Sequence, residues 1–185
     1  SGRYKDMSVT AVLLTHGHLD HVWSAREVCE RYSVPAYIHP EDRYMLSDPA
    51  RGIGPTMKEF IQGMTFVEPD EVIELADGDK ITEAGMTFVV DHTPGHTQGS
   101  VVFRTQANTE SGPVDLAFTG DTLFQGSIGR SDLPGGNHEQ LLASIARKLL
   151  VLGDETVVLP GHGGNSSIGA ERSSNPFLVG LSAQE

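Results

Sequence analysis

The run Thr15-His16-Gly17-His18-Leu19-Asp20-His21 sets three imidazoles and a carboxylate directly behind the apolar stretch Val9, Ala11, Val12, Leu13, Leu14. An apolar run of that length predicts a strand covered on both faces. Nitrogen and oxygen donors crowded at its exit are the ligands that zinc, manganese and ferrous iron share. An ordinary polar turn is the competing reading, but such a cluster behind a buried strand is costly unless something compensates it.

The same arrangement recurs three times. Phe88-Val89-Val90 leads into Asp91, His92, Thr93, Pro94, Gly95, His96 and Thr97; Leu116-Ala117-Phe118 leads into Thr119, Gly120 and Asp121; Val157-Val158-Leu159 leads into Pro160, Gly161 and His162. Each time a buried strand, a glycine turn and a metal-competent side chain follow one another, and loops carried on a rigid sheet are where enzymes keep their chemistry. The candidate ligands are His16, His18, Asp20, His21, His96, Asp121 and His162. They are too many for one tetrahedral ion. Two ions share them if one carboxylate bridges, and Asp121 is the natural bridge because a carboxylate has two oxygens. His16, His18 and His96 then serve the first ion, and Asp20, His21 and His162 the second.

Elsewhere, apolar positions Val22, Ala25, Val28, Cys29 and Tyr32 predict an amphipathic helix from His21 to Tyr32, which Pro35 blocks. A strand at Ala36–Ile38, a helix begun by Pro40, a loop over Pro49–Pro55 and a weakly patterned helix over Met57–Met64 come next. From Val72 the pattern turns to β: Val72–Leu75, Met86–Val90, Val101–Phe103 and Val114–Phe118, with a hairpin at Asn108–Gly112. These are expected to pair antiparallel. Leu141–Leu150 reads as a helix and Thr156–Leu159 as a last buried strand.

The 185 residues suit one domain spanning 1–185. A net charge of −12 disfavours nucleic acid as a partner, and no stretch is long and apolar enough to span a membrane. With Cys29 as the sole cysteine no internal disulfide can form, and the polar start Ser1–Met7 lacks the apolar core of a signal peptide, so the cytoplasm is the expected compartment. Oligomeric state stays open.

The His-x-His-x-Asp-His run, with a His, an Asp and a His on later loops, resembles the metallo-β-lactamase superfamily over nearly the whole chain. Pro94-Gly95-His96-Thr97, Phe118-Thr119-Gly120-Asp121, Gly129-Arg130-Ser131-Asp132 and Pro160-Gly161-His162-Gly163 are similar to its glyoxalase II group of hydroxyacyl-thioester hydrolases. The tail Ile168–Arg172 with Asn175–Leu178 is similar to a short bacterial subgroup. The resemblance implies an α/β fold, a four-layer αββα sandwich, with family strands before Val9 that this chain is expected to lack. Glyoxalase II enzymes also carry a C-terminal helical domain for glutathione, for which Pro176–Glu185 is too short, so the thiol carrier is open.

The implied chemistry is hydrolysis of a small hydroxyacyl thioester by hydroxide held between two divalent ions, zinc first, with iron or manganese as alternatives. Asp20, beside that position, is the candidate to orient the nucleophile or take its proton. A thiolate leaves without a general acid, unlike an amide nitrogen, and an aspartate rather than a cysteine at 121 departs from the β-lactamase pattern. A lactonase, a mononuclear iron persulfide dioxygenase and an inactive metal-binding scaffold are the alternatives. The dioxygenase would leave Asp20, His21 and His162 dispensable. Among the other candidates, His92 reads as a packing residue, His39 and His138 as caps, Trp23 as core or partly buried surface, and Cys29 as a buried inert thiol. Arg130 suits either a substrate carboxylate or an ion pair with Asp132.

Overall fold

The computed structural model describes residues 7–181. Three short strands, β1 (Val12–Leu13), β2 (Ala36–Ile38) and β3 (Val72–Glu74), form a parallel sheet in that order. The helices α1 (Leu19–Val22) and α2 (Ala25–Tyr32) connect β1 to β2. The connection from β2 to β3 is a long excursion carrying α3 (Pro40–Arg43) and α4 (Pro55–Phe60).

The second sheet has six strands. These are β4 (Lys80–Glu83), β5 (Met86–His92), β6 (Val101–Thr109), β7 (Gly112–Gly120), then, after a small hairpin of β8 (Leu123–Phe124) and β9 (Ser127–Ile128), β10 (Val157–Pro160) and β11 (Ser166–Ser167). Its order is β11-β10-β7-β6-β5-β4. Two more helices, α5 (His138–Ser144) and α6 (Ile168–Ser174), complete the fold.

Side-chain alternation along the strands builds the layers, because successive residues point to opposite faces. Leu14, Ala36 and Ile38 pack with Val22, Ala25 and Cys29 under α2. From the same strands Leu13 and Tyr37 point the other way, onto Phe88, Val90, Val101 and Phe103 of the second sheet. Val102, between Val101 and Phe103 in sequence, faces Leu141, Ile145, Leu149 and Ile168 on the far side with Ala117 and Val158. Helix, sheet, sheet, helix follow in that order, which is the αββα sandwich of the α/β class. Among the described residues no helix is long and apolar enough to cross a membrane.

Several elements differ from their sequence patterns. Val72–Leu75, expected in the antiparallel run, instead pairs parallel with β2 in the first sheet, and the outer partner of β5 is β4, which the pattern did not show. The first strand pairs only over Val12–Leu13, because Val9 is exposed. The expected single helix over His21–Tyr32 breaks at Trp23 and Ser24, so α1 is one turn that begins at Leu19, and α2 ends at Ser33 in a left-handed conformation with φ 54°. The Met57–Met64 pattern is helical only as α4. The 108–112 hairpin is a tighter turn, since Thr109 pairs with Gly112. The Leu141–Leu150 helix starts at His138 and turns to π geometry over Ile145–Leu149. His39 caps α3 by accepting from the Glu41 N–H, but α5 is capped by Asn137 rather than by His138. Cys29 is buried, and burial raises its thiol pKa, as expected of an inert side chain.

Candidate metal centre

The topology explains why the four polar clusters meet. β5 and β7 are both antiparallel to β6, and β10 is parallel to β7, so the C-terminal ends of β5, β7 and β10 lie on one edge of the second sheet. The Val101 N–H donates to the Thr15 carbonyl at 2.8 Å, which docks the exit of β1 against that edge. All seven sequence candidates are brought together there.

Donor atoms of His16, His18 and His96 lie within 4.8 Å of one another, as do those of His16, His21 and Asp121, and those of Asp20, His21 and His162. His18 Nδ1 and His96 Nε2 are 2.9 Å apart, and His21 Nε2 and His162 Nε2 3.2 Å. Asp121 lies between the groups. Its Oδ1 is 3.3 Å from His21 Nε2, and its Oδ2 is 3.5 Å from His162 Nε2 and 3.7 Å from His96 Nε2. Asp20 Oδ2 reaches His162 Nε2 at 3.1 Å and His21 Nε2 at 3.4 Å.

The ring nitrogens turned away from this cluster hold the imidazoles in place. His96 Nδ1 donates to the Arg130 carbonyl at 2.7 Å, which leaves Nε2 with its lone pair facing inward. Thr15 Oγ1 stands 3.2 Å from His16 Nδ1 in the same role. Among the described residues, three buried polar atoms have no hydrogen-bond partner: His16 Nε2, His18 Nε2 and Asp121 Oδ1. An orphaned buried nitrogen and carboxylate oxygen are costly. A cation among inward-facing lone pairs satisfies His16 Nε2 and Asp121 Oδ1 together, so this donor set fits divalent metal.

Electrostatics agree. Burial, reinforced by the neighbouring imidazoles, pushes the pKa of His16 well below its ordinary value. Burial and His96 bring His18 down to about 4, and burial likewise lowers His96. These rings are neutral, as metal ligands must be. For Asp121, burial is outweighed by the adjacent His21 and the other surrounding histidines, which lower its pKa; His21 is raised in turn, its burial outweighed by Asp121 and Asp20.

A pH dependence follows for the metal-free protein. Histidines held below their unfolded pKa bind fewer protons folded than unfolded, so stability falls as the pH drops from 6.5 towards about 4, the window set by His18. His21 works in the opposite sense, its contribution being lost as pH rises through its raised value. With four lowered histidines, counting His39, which burial also lowers, against one raised, the chelated protein is expected to melt at lower temperature at pH 5 than at pH 7. Thermal melts across that range in the presence of chelator measure it.

Close backbone approach shapes the pocket. A Cβ on Gly161 would collide with Asp121 Oδ1 and lie 2.7 Å from His21 Cε1. Gly161→Ala is therefore expected to displace those two side chains and cut metal content per chain at least twofold, with the circular dichroism spectrum unchanged. Elemental analysis after gel filtration reads it.

Two supporting roles escaped the sequence reading, although Glu171 and Asn175 stand in the tail pattern it singled out. Asp42, from the excursion, is 1% exposed, and its Oδ2 accepts from Gly17 N–H at 2.8 Å and Thr97 Oγ1 at 2.6 Å, its Oδ1 from Gly99 N–H at 2.8 Å. It thus ties the loop of His16 and His18 to the loop of His96. In sequence it looks like any acid in the first turn of a helix. On the far side Glu171 accepts from the Gly126 N–H at 2.9 Å, and Asn175 Nδ2 donates to Glu171 at 2.7 Å and to the Ser127 carbonyl at 3.0 Å. The tail thereby fixes the β8–β9 hairpin.

Beside the donors opens a cleft of about 1390 Å³, lined by His96, Asp121 and His162, by Phe124 of the hairpin, and by Trp23 and Phe60 opposite. Trp23 is half-exposed and edge-on to Phe66, a wall residue rather than core. Arg130 also lines the cleft, but its guanidinium pairs with Asp132 at 2.8 and 2.7 Å. His92 stacks on His39 with ring centroids 4.0 Å apart and bonds the Gln98 carbonyl, away from the donors.

Comparison with known proteins places this geometry. An uncharacterised protein of Mycobacterium tuberculosis is 56% identical over 177 residues, 95% of this chain and 79% of that one. The hydroxyacylglutathione hydrolase GloC of Haemophilus influenzae is 37% identical over 94% of this chain and 77% of its own. The crystal structure of the B3 metallo-beta-lactamase BLEG-1 superposes with a TM-score of 0.78 at 38% identity, covering 96% of this chain and 81% of that one. The profile of the metallo-beta-lactamase superfamily matches residues 2–162, and this chain belongs to that superfamily.

Proposed function

We propose that the chain is a dinuclear metal-dependent hydrolase of small hydroxyacyl thioesters, of the glyoxalase II type. The observation that carries the reading is the pair of donor groups on either side of Asp121, with His16 Nε2 and Asp121 Oδ1 buried and unpartnered between them. His16, His18 and His96 would hold one ion, Asp20, His21 and His162 the other, and Asp121 both. A bound pair of divalent ions supplies an activated water at neutral pH and polarises a carbonyl oxygen. Asp20 lines the cleft, its carboxylate more than half exposed, where it would orient the attacking water and accept its proton.

The leaving group selects the thioester. Lys58 and Arg130 are the cations lining the cleft, and Arg130 is tied to Asp132. Neither is placed against the donors as a general acid. A thiolate, with a pKa of about 8.5 for a simple thiol, departs without one, whereas an amide nitrogen does not. The similarity to GloC supports the same class. The use of Asp20, His21 and His162 in one group favours two ions over the single iron of a dioxygenase.

The test is hydrolysis of lactoyl thioesters by protein loaded with zinc, iron or manganese, before and after chelation, beside a lactone and a β-lactam. Chelator-sensitive thioester turnover exceeding both rivals at least a hundredfold in kcat/KM is expected. Turnover of the β-lactam or lactone alone overturns the assignment, and a large chelator-induced drop in melting temperature with no turnover marks a scaffold.

A further inference from the structure

The cleft is far larger than its metal donors require, and much of its remaining wall is apolar. Trp23 at the end of α1 and Met57 and Phe60 on α4 line it, yet they are 52%, 44% and 63% exposed. None of the three is needed to hold α4 down. The buried anchors stand at its two ends, where Ile53 and Ile61 pack with Leu19. Large apolar side chains left uncovered around one concave opening mark a surface that a ligand covers. Trp23 is braced edge-on against Phe66, with centroids 5.8 Å apart and planes at 73°, so little of its freedom is lost when its face is covered.

Charge adds direction. Asp20, Asp121 and His162 belong to the candidate donor groups, and Arg130 is neutralised by Asp132. Lys58, on the same wall as Met57 and Phe60, is the cleft cation without a carboxylate partner among the described residues. An apolar seat with one free cation at its rim suits a group that is itself apolar and ends in an anion.

We infer that the thiol carrier of the substrate has an apolar, ring-containing body seated on Trp23, Met57 and Phe60, with a terminal anion at Lys58. This rests on the thioester reading above. A strongly polar carrier of peptide type would leave the wall in water, with no gain from burial.

The experiment compares lactoyl thioesters of three alkyl thiols of similar leaving ability: 4-(mercaptomethyl)benzoate, benzyl mercaptan without the anion, and 4-mercaptobutyrate without the ring. A phosphonate in place of the benzoate carboxylate separates a carboxylate preference from a general anion preference. The first substrate is expected to exceed each control about tenfold in kcat/KM, within the range a single pocket contact commands. Phe60→Ala should collapse the ratio of ring to ring-free substrates, and Lys58→Met the ratio of anionic to neutral ones.

A second readout needs no turnover. Trp23 is the chain's one tryptophan, so its fluorescence reports the seat directly. Saturable quenching by the thioether analogue of the benzoate substrate, in metal-loaded and in chelated protein, with affinity weakened in both variants, supports the inference. Thioester hydrolysis with no ring preference and no Trp23 response overturns the seat and leaves the hydrolase standing. A saturable Trp23 response with no hydrolysis of any thioester retains the seat and removes the thioester reading. Fluorescence that follows protein concentration and self-association instead of the probe overturns the inference by making the patch an interface between copies.

Discussion

Asp121→Ala is expected to lose hydrolysis and dinuclear metal binding in one step, with kcat/KM falling on the order of a thousandfold or more. Asp121 stands between the two donor groups, 3.3 Å from His21, 3.5 Å from His162 and 3.7 Å from His96. Alanine removes the negative charge that would offset two dications and leaves five histidines with the exposed Asp20 as the sole remaining carboxylate of the candidate set. Elemental analysis should show metal falling from two ions per chain to one or fewer. Asp121→Asn separates shape from charge, since the amide keeps the side chain's volume but offers one neutral oxygen. It should resemble the alanine variant in metal content. The chelated variant should unfold as cooperatively as the chelated parent, because Asp121 sits past the paired register of β7 and anchors no core side chain. Either variant retaining full activity with two ions would falsify the bridging role.

Much of this centre was legible because its signals are local. A buried strand, a glycine and a ligand within a few residues of one another need no knowledge of the rest of the chain, and Leu14 to His21, Val90 to His96, Phe118 to Asp121 and Leu159 to His162 all obey that rule. The antiparallel run β5 to β7 was readable for a related reason: consecutive strands joined by short turns pair with their neighbours. The same rule misled at Val72–Leu75, which joins β2 of the first sheet in parallel, while β4 was not foreseen. What could not be read depends on partners distant in sequence. The hairpin β8–β9 is held by Glu171 and Asn175, 45 and 48 residues away. The break between α1 and α2 has no glycine or proline to announce it; Leu19 turns to Ile53 and Ile61 while Val22 and Ala25 turn to the first sheet, so two different cores divide one apolar pattern. The cleft wall on α4 was hidden because Met57 and Phe60 at a three-residue spacing look like core, yet stay exposed.

Asp42→Ala tests the least visible of these long-range supports, and its expected effect on stability is the largest in the molecule. The carboxylate is buried beneath the site and accepts three hydrogen bonds, from Gly17, Thr97 and Gly99. Burial nevertheless keeps its pKa above the usual carboxylate value, the three donors offsetting only part of the desolvation. Removing it strands two backbone N–H groups away from water, at about 1–3 kcal/mol each before relaxation, while the Thr97 hydroxyl keeps Ser100 Oγ at 2.7 Å, so a loss of about 3–5 kcal/mol is expected. For a chain of this length that corresponds to a fall of about 10 °C in melting temperature. Room cannot be recovered by collapse, because Gly17 and Gly99 already lie against Asp42 too closely for any Cβ. The two loops it joins carry His16, His18 and His96, so their spacing should loosen as well, weakening metal affinity 10- to 100-fold, as losses of ligand-orienting groups do. Asp42→Asn distinguishes this from simple destabilisation. Its oxygen still accepts from part of the set while its NH2 meets the remaining donors, so it should regain part of the melting temperature and little of the metal affinity. Calorimetric titration of chelated protein with zinc, run well below both melting points, decides between them: parental affinity in a folded Asp42→Asn variant would reduce Asp42 to a stabilising residue with no part in positioning the ligands.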